Sequence, residues 1–125
     1  MNLAKHIQYL GLIDNFVEKL VTAKFVIVPT LVGCGQQLKV FEALGRGVPI
    51  VCFSSAVPEF IQSIALGVVS VNDDRSFADA ISKMWHDVDF YHLVAKGAES
   101  FSKIIADKYS YKDSIEKLLK FYMLK

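Results

Sequence analysis

The run Pro49–Phe53 (PIVCF) carries no polar side chain at any position. Strand side chains alternate between the two faces of a sheet, so a strand written this way is covered on both sides. That is the pattern of a parallel sheet held between layers of helices. Lys24–Pro29 (KFVIVP) reads as another buried strand, Gly67–Val71 (GVVSV) as a short one, and His6–Leu10, ended by Gly11, as a weaker one. Between these runs the apolar spacing changes to the helical period. Asp14 suits the N-cap of a helix to about Ala23, with Phe16, Val17, Leu20 and Val21 on one face. Further helices are predicted from Gln37 to about Leu44, ended by Gly45 and Gly47, and from Pro58 to about Ala65. Another runs from Ser76, with Asp79 completing a capping box, to about His86. Two more follow, about Phe90–Lys108 and Tyr111–Leu124, the second with Ser110 and Asp113 at its start.

The order β-α-β-α-β-α-β-α-α-α predicts an α/β fold, a parallel sheet of about four strands with helices on both faces. Right-handed crossovers bring every strand's carboxyl end to one edge, where open α/β sheets bind ligands. With 125 residues the chain forms one domain and can bury roughly two-thirds of its surface.

Composition narrows the possible functions. The formal net charge is +1, so neither a nucleic-acid footprint nor a polybasic membrane segment is implied. The aromatic and basic residues Phe101, Lys103, Lys108, Tyr109, Tyr111 and Lys112 are interleaved with Asp107 and Asp113, as on a solvated helix pair. No apolar run is long enough to span a bilayer, and Asp14 interrupts the N-terminal stretch that a signal peptide would need. A soluble, cytoplasmic chain is expected. Cys34 and Cys52 lack CxxC spacing and read as reduced thiols, Cys52 as core. His6, His86 and His92 are scattered, so no metal site is expected. No cofactor is expected either. Phe77 and Trp85 read as core. The mean hydropathy of +0.35 is high, in keeping with buried strands and an apolar face that expects another domain.

The chemistry gathers after the second strand. Its loop, Thr30–Gln36, holds Gly33 and Gly35 and opens a helix. Glycines allow close backbone approach, and the unpaired amides of a helix start favour an anion such as phosphate; the plain alternative is a tight turn. In that helix Leu38, Phe41 and Leu44 form an apolar stripe, while Lys39, Glu42 and Arg46 share another face. Lys39, one turn from the loop, can pair with phosphate oxygens. Glu42 can accept two hydrogen bonds from a vicinal diol such as ribose. The alternative is a surface Lys–Glu pair worth about 0.3 kcal/mol.

The stretch VPTLVGCGQQLKVFEALGRGVPIV (Val28 to Val51) resembles the donor-binding signature of GT-B-fold glycosyltransferases of the family 4 type. Pro29, Gly33, Gly35, Glu42, Ala43, Gly47, Pro49, Ile50 and Val51 carry the likeness. The flanks agree: HIQYLGLIDNFVEKLVTAKFVIVP upstream, then SSAVPEFI with Pro58 and Glu59, then GVVSVNDDRSFADAI. The resemblance implies that residues 1–125 are a single partial Rossmann-like nucleotide-sugar-binding domain, part of a GT-B C-terminal domain. Residues 111–125 would be the terminal helix that returns to pack on the other domain. It implies that Glu42 holds the donor's ribose hydroxyls and that the amides near Gly33, Gly35 and Gln36 face the diphosphate. Cys34 stands where the family's first glutamate would contact the sugar. The combination of Gly33, Gly35 and Lys39 is similar to a branch that also lacks that acid.

The donor-binding positions expected on this basis are Gly33, Cys34, Gly35, Gln36, Lys39 and Glu42; no catalytic residue is assigned. The function implied is donor binding in a transferase that moves a sugar from a nucleotide diphosphate sugar to a glycan or lipid acceptor. The chain is read as truncated, lacking the N-terminal acceptor domain, and is expected to be inactive alone. The expected partners are the nucleotide-sugar donor and either that missing domain or a second copy on the apolar surface that includes Phe121, Tyr122, Met123 and Leu124. The competing reading is a non-enzymatic Rossmann-like or flavodoxin-like module that binds a partner or associates with itself.

Overall fold

The computed structural model describes residues 7–8, 16–29, 37–108 and 120. Their elements run α1 (Phe16–Thr22), β1 (Val26–Val28), α2 (Gln37–Gly45), β2 (Ile50–Phe53), β3 (Val68–Val71), α3 (Asp74–His86) and α4 (Val88–Lys108). The strands form one parallel sheet in the order β1-β2-β3. Val26 is in register with Ile50 and Ile50 with Val68; at the other end Phe53 is in register with Val71.

The central strand explains the two-layer packing. Ile50, Val51, Cys52 and Phe53 are all buried. Ile50 and Cys52 point to one face, where they join Val28, Phe41, Leu44 and Val68 beneath α2. Val51 points to the other, with Ala80 and Met84 of α3 and Val94 of α4. Phe53 stacks on Phe77 of α3, ring centroids 4.6 Å apart and planes 9° from parallel. At β2 helices therefore cover both faces, as the unbroken apolar run predicts; the edge strand β1, expected to be buried, instead leaves Ile27 46% exposed.

Helix α4 closes the amino edge of the sheet. Gly47 (φ 79°) and Gly67 (φ 88°) are the left-handed turns that lead into β2 and β3. The backbone of α4 lies against both. A Cβ on Gly67 would fall 2.4 Å from the Cβ of Ala98, and one on Gly47 3.7 Å from the Cα of Glu99.

Several expectations are corrected. The described residues hold three strands rather than about four. Of the strand expected over His6–Leu10 only residues 7 and 8 are described, and neither is in a strand. The helix expected from Pro58 to Ala65 is instead two single 3-10 turns, Glu59–Ile61 and Ile64–Leu66, and another such turn, Ser54–Ala56, precedes them. Extended backbone at Ser63 (φ −147°, ψ 135°) interrupts it. The Gln62 side chain donates to the carbonyls of Ser54 (2.7 Å) and Val57 (3.0 Å), satisfying loop groups that a regular helix would leave open. On α1, Leu20 is buried while Phe16 and Val21 are exposed. Trp85 is not core: it is 61% exposed, with Lys24 Nζ 4.9 Å from its ring. Phe101, by contrast, packs on the core. The expected cap at Asp14 and the helix over Tyr111–Leu124 lie outside the described residues, apart from Lys120, which is helical.

Helix α3 is capped by Asp73, not Ser76: Asp73 Oδ1 accepts from the Ser76 backbone N–H at 2.7 Å. The hydrogen bonds from Ser76 hold the Asp73 carboxyl below its ordinary value of 3.8. A carboxyl lowered in the folded state stabilises the fold above its unfolded pKa and loses that contribution as pH falls through the folded value. Asp73→Ala is therefore expected to lower Tm at pH 7. The gap to wild type should narrow below about pH 3.8, read by thermal melts across pH.

Candidate functional site

The carboxyl edge of the sheet is formed by the ends of β1 at Val28–Pro29, β2 at Phe53–Ser54 and β3 at Val71–Asn72. Helix α2 begins on this edge and runs back antiparallel to the strands. Its burial pattern is that of a helix docked by one face: Val40, Phe41, Ala43 and Leu44 are buried, while Glu42, Gly45 and Arg46 are intermediate. The stripe read from the sequence is seen at Phe41 and Leu44.

Glu42 sits five residues into α2, about 7.5 Å along the axis from its first residue. Its backbone carbonyl accepts from Arg46 Nη1 at 3.3 Å. The helix thus carries a half-buried carboxylate between its docked face and solvent, with an arginine one turn on. Lys39 is placed by its backbone in the first turn; its side chain lies outside the described part of the structure. Gly33, Cys34, Gly35 and Gln36 also lie outside the described residues. Among the expected donor-binding positions, Glu42 alone has a described side chain.

The same edge carries a polar bridge that the motif reading did not single out. Ser54 Oγ, at the end of β2, donates to Asn72 Oδ1, at the end of β3. Gln62 fixes the Ser54 carbonyl from behind. Ser54 and Asn72 are each the first residue after their strand, and that position was the available signal. The bridge ties two neighbouring strand ends. Glu59, of the expected Pro58–Glu59 pair, is exposed while Pro58 is buried.

Cys52 is buried in mid-strand, as expected, and burial pushes its thiol up to about 12. It stays protonated at neutral pH and is a packing residue, not a nucleophile. No group of three or more His, Cys, Asp or Glu side chains among the described residues could hold a metal ion. No helix among them is long and apolar enough to cross a membrane.

The geometry is that of an open α/β sheet with its polar groups at the carboxyl edge and a carboxylate on the helix after β1. No curated protein and no solved structure matches the chain. Residues 1–87, a span that contains α1 to α3 complete, match the family model described as glycosyl transferases group 1, and the chain belongs to that family.

Proposed function

We propose that this chain binds the nucleotide of a nucleotide diphosphate sugar and supplies the donor half of a transfer to a glycan or lipid hydroxyl. The observation that carries the reading is Glu42: a half-buried carboxylate on α2, the helix that follows β1 in the chain, inside the stretch that the family model covers. A carboxylate has the acceptor capacity to hold both hydroxyls of a ribose. The amides near Gly33, Gly35 and Gln36 would face the diphosphate at the helix start, with Lys39 beside them as a point charge. Cys34 would stand near the sugar. In the reaction these donors would stabilise the charge that builds on the leaving diphosphate. Transfer itself needs a second surface to present the acceptor hydroxyl, so binding without turnover is the expected behaviour of this chain alone.

Amide NMR titration with UDP, GDP and their sugars tests this. Binding should shift resonances at the start of α2 and at Ser54. Glu42→Ala should weaken it about tenfold, the loss of a charge-assisted pair of hydrogen bonds. A nucleotide that binds with the same affinity to Glu42→Ala, or no response to any nucleotide, overturns the reading and leaves the binding-module alternative.

A further inference from the structure

Among the described residues β1 is an edge strand, paired with β2 on one side only. The Val26 N–H donates to the Pro49 carbonyl at 2.9 Å, and Val26 is in register with Ile50. In a parallel ladder a residue turns its N–H and its C=O to the same side, and successive residues alternate. Val26 and Val28 therefore turn theirs to β2, whereas Ile27 turns both outward. Native edges are usually guarded by a charge. The run Phe25–Pro29 carries none. Lys24 stands just before it but is drawn off the edge: its Nζ donates to the Trp85 carbonyl at 3.4 Å and lies 4.9 Å and 4.8 Å from the ring centroids of Trp85 and Tyr91.

The two faces of β1 also differ. On the α2 side Val28 is buried in one cluster with Leu20 of α1. On the α3 side Ile27 is in register with the buried Val51 yet stays open, because α3 lies over β2 and β3. The contact with Lys24 puts Trp85 on the flank of α3 nearest β1. Beside Ile27 the chain thus presents an apolar strip with no helix over it. The charges of α3 lie along its axis: Asp74 is in the first turn, Lys83 and His86 in the last.

We propose that two copies of this chain associate through β1, the strands antiparallel about a two-fold axis at Ile27, so that one sheet runs through both. Residues directly opposite in an antiparallel pair can exchange both main-chain hydrogen bonds, and two outward-turned Ile27 residues supply them. The Phe25 N–H meets the Pro29 carbonyl of the second copy, a bond that asks no N–H of proline. The Ile27 side chains then cover each other on the α3 face. The same axis sets the two α3 helices antiparallel, the acidic end of each toward the basic end of the other. A two-fold makes such a contact self-limiting, because it closes on itself.

Sedimentation velocity of the chain over about a hundredfold range of concentration tests this. The mass should rise from that of one chain, 14.0 kDa, toward twice that value. Ile27→Lys places a charge on the edge and should hold the chain at the mass of one copy, with its circular dichroism spectrum unchanged. Phe121→Lys, on the apolar C-terminal segment, should leave the association intact. Hydrogen exchange on the unaltered chain gives a reading that needs no variant: the Ile27 amide should exchange more slowly as concentration rises, while the Val26 amide, already bonded to β2, should not respond. A chain of single-copy mass at every concentration overturns the proposal. So does an association that survives Ile27→Lys, one abolished by Phe121→Lys, or an Ile27 amide whose exchange ignores concentration.

Discussion

Gly97→Val is expected to destabilise the fold by about 3 kcal/mol or more, read as a lowered midpoint in urea. Gly97 is buried in α4, and a Cβ built there meets the Ile64 carbonyl oxygen at 2.2 Å and the Ala65 carbonyl at 2.9 Å. Those atoms are backbone, so they cannot swing away as a side chain would. Either α4 lifts off or the 64–66 turn distorts, and the turn leads into Gly67 and β3. The alanine variant separates two opposing effects. Helix propensity alone favours Ala over Gly by about 1 kcal/mol. The clash predicts a net loss. A Gly97→Ala protein more stable than wild type would show that α4 does not approach the turn this closely.

The second large effect is expected at Phe41. It is 1% exposed, on α2, in the cluster formed by Val28, Val40, Leu44, Ile50 and Ile61. Truncation to alanine removes a ring from a close-packed interior and leaves a cavity, at a cost of about 3–5 kcal/mol. Phe41→Leu keeps most of the volume and should cost about 1.5 kcal/mol or less. Phe41 is also the anchor beside Glu42. Nucleotide affinity in Phe41→Leu, measured where the protein remains folded, reports whether the carboxylate depends on how α2 is seated. Urea curves for both variants check the stability ordering; equal losses would mean that the site does not collapse around the smaller side chain.

The parts of the fold that could be read from residues were those governed by local pattern. PIVCF has no polar position, and the strand it forms is buried on both faces. Helix α2 begins at Gln37, as the spacing of Leu38, Phe41 and Leu44 indicates, and ends at Gly45. The parts that were not legible depend on distant neighbours. Pro58 suits a helix start, yet the segment after it is shaped by Gln62 reaching Ser54 and by the approach of α4 to Ile64. Trp85 has the hydrophobicity of a core residue, but its ring lies on the surface against Lys24, whose carbonyl is bonded by Tyr91 at 3.0 Å. Asp73 and Ser76 are both competent caps, and only backbone geometry decides between them. Of the candidate site, Glu42 was legible because helical spacing alone separates it from the Phe41 and Leu44 face. The loop before α2 lies outside the described residues, so its glycines and Cys34 rest on the sequence pattern.

The glycine contacts at positions 67 and 97 have an evolutionary consequence. A helix seated at backbone-to-backbone range tolerates almost no drift in the residues beneath it, so that rim of the domain is frozen. Change in ligand preference must then accumulate on the opposite rim, at exposed positions such as Pro29 and Glu59, which can be exchanged without disturbing the frame. A lineage built on this scaffold would diversify by single changes at such positions rather than by exchanging whole segments, because Phe53, Ala56 and Val57 beside them are core.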